Sequence, residues 1–361
     1  MSFFIESMTA VPEKLELDMQ EHDNWHSLFR MMDTNNQGVI PVRDLKNAVF
    51  DTSINLGLTR DEADTLLMDV DKNQDKFVDF AEFCSLMAKA KKLHMKRVLF
   101  YAAKSVLSKK SQGEAHRYLL QYNCFPPPLF MIIISVLEIS FYLYYTFKDG
   151  GHLEINGPQP IDSPYILNPN KKEQIWRYLT YMFIHIGYLH LISNVVVQLL
   201  LGLPLELVHK LWRISALYLL GVITGAVLVY AVDPGVYLGG ASAGVYALIA
   251  AHISNVVINW SEMQFNWIRA IILGIIVFAD TGIAIYERYG KGVRNRTSYV
   301  AHIGGFIAGL LLGIVLLRNL RWKRWERVAW WICLVAYVLF MITCIILIFS
   351  PPMFSSNKKF D

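Results

Sequence analysis

Charge is scarce in this sequence. Asp, Glu, Lys and Arg make up 18% of its 361 residues, and 54% of the residues are hydrophobic. An average soluble chain carries about a quarter charged residues. The deficit is uneven: residues 1–125 have an ordinary soluble composition, and long apolar runs dominate the remainder. Cysteine is sparse as well. Cys84, Cys124, Cys333 and Cys344 form no CxxC or similar spacing and suggest neither a disulfide framework nor a zinc site. The net charge is only +4, and the basic residues lie beside the apolar runs. They read as membrane-topology signals, so no nucleic-acid partner is expected. Met1 to Gln20 lacks a basic stretch followed by an apolar one, so no signal peptide is expected there.

What is present falls into two parts. Two helix–loop–helix units precede residue 90 and form a soluble domain over 1–90. A basic segment follows, Lys89 to Arg117, with Lys91, Lys92, Lys96, Arg97, Lys104, Lys109 and Lys110 interleaved with Leu93, Val98, Leu99, Phe100 and Val106. Two readings fit it: contact with an anionic lipid leaflet, or an exit helix followed by a solvated linker over 91–128. Pro126-Pro127-Pro128 marks the boundary. Seven apolar segments then run through 129–349, each near the ~20 residues that span a bilayer. They lie at about Leu129–Phe147, Gly187–Leu205, Leu211–Val232, Ala241–Ile258, Trp267–Ile285, Tyr299–Leu317 and Ala329–Phe349, with a short tail over 350–361. The fold expected is all-α: a polytopic membrane helical bundle behind a soluble N-terminal pair.

Loop charges suggest the orientation. The segment Arg318 to Arg327 carries five basic residues and favours the cytosol, as does the N-terminal domain. Against it, Arg288, Lys291, Arg294 and Arg296 would face the lumen, where Asn295-Arg296-Thr297 would be a sequon. With a cytosolic N-terminus, the second, fourth and sixth spans all begin on the luminal side.

Those three spans carry His190, Asn194, Ser242 and His302. Polar groups at membrane depth are costly, and function is their default explanation. Ser242 lies in Gly239-Gly240-Ala241-Ser242-Ala243-Gly244, a run of small residues open to close approach; for a serine alone, helix packing is the commoner explanation. His302 shares a helical face with Gly305 and Gly309, a groove into which another helix fits. If the fourth span packs there, serine and histidine share a depth, as nucleophile and base require. His190 and Asn194 are four apart on one face, at the same depth. They suit the stabilisation of an oxyanion, or a plain interhelical clamp. No acidic residue stands at the luminal end of a neighbouring span, so a Ser–His dyad is expected. Glu138, within the first span, has no partner nameable from the sequence.

These segments resemble the rhomboid family of intramembrane serine proteases, over about residues 129–349. The resemblance rests on Gly240-Ala241-Ser242, on Ala301-His302 with Gly305 and Gly309, and on His190 and Asn194 preceded by His185. It extends to Trp176-Arg177, Tyr246, and Gly202 with Glu206. Ala243 departs from it, standing where many relatives have glycine. Six core spans plus a C-terminal one resemble the eukaryotic secretase-type branch. The resemblance implies that Ser242 attacks a peptide carbonyl and that His302 serves as base, then acid. It implies that the Ser242 amide, His190 and Asn194 hold the oxyanion, and that Tyr246 stacks on the imidazole. The substrates implied are single-pass membrane proteins such as growth-factor precursors, cut on the luminal side in the secretory pathway or plasma membrane. A rival reading is a silent rhomboid-like protein that binds clients; a calcium-gated transporter would require inverted repeats or charged midplane sites, and neither is visible.

Asp71 to Glu82 reads as an EF-hand loop. Oxygen ligands come from Asp71, Asn73, Asp75, Asp79 and Glu82, with the Phe77 carbonyl at position 7. The usual glycine at position 6 is Lys76, which implies a strained turn. Asp33 to Asp44 is a weaker copy, with Asp33, Asn35, Gln37, Asp44 and the Val39 carbonyl as ligands; Gly38 is in place, but Pro41 stands at position 9 and Asp44 is short of reach. EF-hands on a secretase-type chain resemble the calcium-responsive members of the group. The expectation is regulatory calcium and no catalytic cofactor.

Overall fold

The structure is a computed structural model. It describes residues 24–50, 60–104 except 69, 72 and 74, residue 106, residues 128–260 except 156, and residues 266–286, 290, 299–317 and 324–350. The chain divides into two compact units, residues 1–100 and 101–361.

The first unit holds helix α1 (24–32), strand β1 (Val39–Pro41), α2 (Val42–Phe50), α3 (Arg60–Met68), β2 (Phe77–Asp79) and all but the last turn of α4 (Phe80–Lys104). Each loop ends in one strand of an antiparallel ribbon that pairs Val39 with Asp79, Ile40 with Val78 and Pro41 with Phe77. Ile40 and Val78 are fully buried and lead into a core of Phe29, Leu45, Leu67, Phe83 and Leu86. Pairing the loops is what lets so small a unit close a core. Lys76 takes φ +68°, the left-handed conformation that Gly38 adopts freely at +77° in the other loop. Helix α4 continues unbroken from the second loop through the basic stretch to Lys104. The rest of that stretch, 107–117, lies outside the described residues.

Among the described residues the second unit contains seven apolar helices: α5 (Leu129–Lys148), α6 (Tyr188–His209), α7 (Leu211–Val232), α8 (Ser242–Ile258), α9 (Asn266–Ile285), α10 (Tyr299–Leu316) and α11 (Arg324–Phe349). Six are long and apolar enough to cross a membrane. The exception is α8, with 17 residues. At 1.5 Å per residue it measures roughly 25 Å, short of a hydrocarbon core of about 30 Å. The expected span at Ala241–Ile258 is thus a full apolar segment but a short helix, because the chain enters it through the turn at Gly240 and becomes helical only at Ser242.

Helix α8 forms the centre. It is buried along most of its length and packs against α10 and α7. Missing Cβ atoms make this possible. A Cβ on Gly305 would run into the Ala243 carbonyl oxygen, and one on Gly309 into that of Ala247. Gly304 faces the Gly225 backbone of α7, where a Cβ would lie 2.9 Å from Gly225 Cα. Helices α9 and α11 are peripheral and present Ile271, Ile275, Phe278, Ile332, Leu339 and Ile346 outward. Exposed residues of this kind suit lipid rather than water. The segments with Arg288, Lys291, Arg294 and Arg296, most of Arg318–Arg327 and the tail 351–361 lie outside the described residues.

Candidate active site

The site is assembled at the end of the bundle where α6, α8 and α10 begin. The chain approaches α8 through Leu238, which pairs with Leu167 in an isolated antiparallel bridge through hydrogen bonds of 3.0 and 3.1 Å. Gly240 follows with φ +125°, and its N–H donates to the Tyr181 carbonyl at 3.1 Å. That backbone turn requires glycine twice over, because a Cβ there would also lie 2.6 Å from the His190 ring. Ala241 N–H donates to His185 Nε2 at 3.3 Å. The turn leaves Ser242 as the first residue of α8, half-buried, with its side chain toward α10.

His302 lies in the first turns of α10 and is 6% exposed. Its Nε2 is 2.9 Å from Ser242 Oγ. Tyr246, one turn further along α8, stacks on the imidazole with centroids 4.4 Å apart and planes 16° from parallel. Its hydroxyl meets Thr281 Oγ1 of α9 at 3.1 Å. The ring therefore has one face covered and one nitrogen aimed at the serine hydroxyl. Proton transfer between Oγ and Nε2 requires that geometry.

His190 lies against Gly240, within the turn that sets the serine. Asn194 is 5% exposed and donates from Nδ2 to the His190 carbonyl at 3.0 Å, one turn back on its own helix. His190 is thus brought to the serine turn, whereas one Asn194 amide hydrogen is committed to α6. His185 has a larger part than its place before the His190/Asn194 pair suggested. Burial and the adjacent His190 hold its pKa well below the ordinary histidine value, so it stays neutral and accepts the Ala241 N–H.

A profile described as Rhomboid domain matches residues 172–319, and one described as EF-hand domain pair matches residues 23–88. The chain is 36% identical over 333 residues to "Inactive rhomboid-related protein 2" of Caenorhabditis elegans, covering 92% of this chain and 95% of that one. It is 32% identical over 365 residues to human "Rhomboid-related protein 3", covering 91% and 90% of the two chains. The chain belongs to the rhomboid family. More distantly, it is 29% identical over 153 residues to "Rhomboid-type serine protease 2" of Emericella nidulans, which covers 41% of this chain and 28% of that one.

The remaining rhomboid motif residues serve the scaffold. Arg177 is 3% exposed; it donates from Nη1 to the carbonyls of Ser163 and Ile166 at 2.9 and 2.6 Å, and from Nε to Gln174 Oε1 at 2.6 Å. It ties the long loop after α5 to the short helical turn Arg177–Thr180. Glu206 accepts the N–H groups of Phe130 and Met131 at 2.8 and 3.1 Å, capping the start of α5. Ala243, the departure from the family pattern, places its Cβ against Gly225, whose own Cβ would come within 2.7 Å. The missing side chain on α7 leaves room for the added methyl on α8.

Sequence reasoning left Glu138 alone, yet it is fully buried among polar partners. Gln198 Nε2 donates to its Oε2 at 2.9 Å and the Tyr218 hydroxyl approaches its Oε1 at 3.2 Å. Gln198 also reaches Ser135 Oγ at 2.8 Å. Gln198 follows Asn194 by four residues, so the i, i+4 rule that linked His190 to Asn194 extends to it; its partners on α5 and α7 carry no such signal.

In the EF-hand pair, Asp71 accepts the N–H groups of Asp75 and Lys76 at 3.1 and 2.9 Å. Asp75 accepts from Phe77 N–H at 2.8 Å and from Asn73 Nδ2 at 2.8 Å. Asp79 and Glu82 cap the start of α4 reciprocally, at 2.8 and 3.3 Å. In the first loop, Asp33 accepts from Gln37 and Gly38 N–H at 3.0 and 2.6 Å. Four carboxylates and an amide in the second loop suit a hard, oxygen-preferring cation. Asp33 and Asp44 are the charged donors of the first. Among the described residues no three His, Cys, Asp or Glu side chains converge as a metal cluster; the loop backbone engages these carboxylates instead.

Proposed function

We propose that the chain is an intramembrane serine endopeptidase acting through a Ser242–His302 dyad. The observation that carries this reading is the 2.9 Å contact between Ser242 Oγ and His302 Nε2 beneath the Tyr246 ring. With the proton on Nδ1, His302 Nε2 takes the hydroxyl proton as Oγ bonds to a peptide carbonyl carbon. The oxygen of the tetrahedral adduct gathers negative charge beside the Ser242 amide and the His190 ring. Asn194 joins them by turning its amide away from α6. The adduct collapses, His302 hands its proton to the departing amine, and water repeats the sequence on the acyl-enzyme. The substrates fitting a site sunk below the surface of a helical bundle are single-pass membrane proteins whose helix unwinds at that end. The basic segments favour a cytosolic N-terminus and an active site open to the lumen or exterior.

Cleavage of a model single-pass substrate by the reconstituted native chain, with loss in Ser242→Ala, is the expected result. No cleavage by either protein would instead support the silent client-binding reading, which the name of the Caenorhabditis elegans relative brings into view. Equal cleavage by both would remove the dyad.

Calcium is proposed as a regulatory input through Asp71, Asn73, Asp75, Asp79, Glu82 and the Phe77 carbonyl, with the Asp33 loop binding more weakly. Activity in intact membranes should change across a calcium titration. That response should disappear in a chain carrying both Asp71→Ala and Glu82→Gln; an unchanged response would separate the EF-hands from proteolysis.

A further inference from the structure

A cavity of about 770 Å³ opens between the last turns of α5 and the loop at 158–165. It is separate from the serine site and is used by no part of the proposed reaction. Its walls combine two chemistries. Phe141, Tyr144 and Tyr165 supply aromatic rings, while Lys148, Asp149 and Asp162 supply charges of both signs. Phe141 and Tyr165 meet edge to face with centroids 5.2 Å apart, so the two rings stand at right angles within the cavity wall. Tyr144 is 60% exposed. Lys148, Asp149 and Asp162 are exposed as well.

Depth narrows the occupant. Helix α5 has 20 residues, roughly 30 Å, about the thickness of the hydrocarbon core. Its last residue is Lys148, so the charged wall of the cavity lies at headgroup level, in the leaflet on the Ser242 side. A ligand residing there presents a headgroup. Charge then selects among headgroups. Lys148 complements a phosphate. The two carboxylates complement a cation, and aromatic faces attract a quaternary ammonium through their quadrupole. A primary ammonium holds its own water and hydrogen bonds more firmly, and a purely anionic headgroup would face Asp149 and Asp162 unfavourably.

We infer that this cavity is a binding site for the phosphocholine headgroup of a membrane lipid, with Lys148 at the phosphate and Tyr144, Tyr165, Asp149 and Asp162 around the choline. The site requires no catalytic activity and stands independently of the proposed proteolysis.

The test uses the full-length chain in detergent, titrated with phosphatidylcholine, phosphatidylethanolamine or phosphatidylglycerol of identical acyl chains, with retained lipid counted by native mass spectrometry. Phosphatidylcholine should bind about five-fold or more tighter than phosphatidylethanolamine, the scale of a cation–π contact. Tyr144→Leu and Asp162→Asn should each remove most of that preference. Both residues are exposed, so these variants should keep the native melting temperature, measured in parallel. Equal retention of choline and ethanolamine lipids would overturn the site and reduce the aromatic residues to general interfacial anchors. So would a preference for phosphatidylglycerol, which would mean that Lys148 acts alone. Undiminished choline preference in both variants would overturn it as well.

Discussion

Ser242 and His302 each have an ordinary explanation as residues of a packed membrane helix, and it is their contact, with Tyr246 over the ring, that changes the reading. The Tyr246→Ala variant should keep the Ser242 hydroxyl yet lose turnover, because the imidazole would be free to rotate away from it. A profile of kcat against KM would show the loss in kcat. Loss of His190 removes a donor beside the serine turn, and His190→Ala should lower turnover by about 100-fold, the scale of one oxyanion donor. His185 predicts a pH effect. Its folded-state pKa lies well below its unfolded value, so between the two the unfolded chain binds the extra proton. The stability it contributes is complete above about pH 6.5, the ordinary histidine value, and declines as pH falls below it. Thermal melts across pH 4.5–7.5 (roughly spanning the histidine range) should show an acid limb that His185→Gln flattens. All five of these residues stand out in the sequence, Ser242, His302 and His190 by their position in apolar spans and Tyr246 and His185 by the family resemblance. It did not show that His185 holds the serine turn, because that bond joins a side chain to the backbone of Ala241, 56 residues away.

At the scale of elements, the contact between α8 and α10 rests on absent side chains. Gly305→Val would push the Ala243 carbonyl away, costing about 1–3 kcal/mol as overpacking and separating Ser242 from His302. Reduced melting temperature together with lost activity is the expected outcome, with Gly305→Ala intermediate in both. The polar cluster joining α5, α6 and α7 offers a second test. Glu138→Leu would strip one Gln198 amide hydrogen of its acceptor, while Tyr218 keeps Gln198 Oε1 at 3.0 Å, at about 1–3 kcal/mol for the orphaned buried group. Glu138→Gln keeps an acceptor and should be milder; unfolding titrations in mixed micelles would rank the two. The glycine groove on α10 was legible from its spacing, because a helix face repeats every three to four residues. The Glu138 cluster was not, because its partners lie 60 and 80 residues away on other helices.

At the scale of the molecule, the chain joins an EF-hand pair to a rhomboid bundle, and the seven apolar helices stand within a few residues of where hydropathy placed them. That agreement has a local cause. A bilayer demands a run of apolar residues of set length, and an EF-hand demands oxygen donors at set spacing within twelve residues, so both requirements are written in short windows of sequence. What local windows leave open is which polar atoms meet. The 17-residue length of α8, and with it the position of Ser242 at its start, follows from an approach segment held by Leu167, Tyr181 and His185. The same holds for Arg177 as a loop clamp and Glu206 as a helix cap. The residue types that make a serine site were determined by the sequence alone. Their assembly was decided by tertiary packing, because a hydrogen bond between residues 60 apart exists only once glycine-lined helix faces have brought two backbones together.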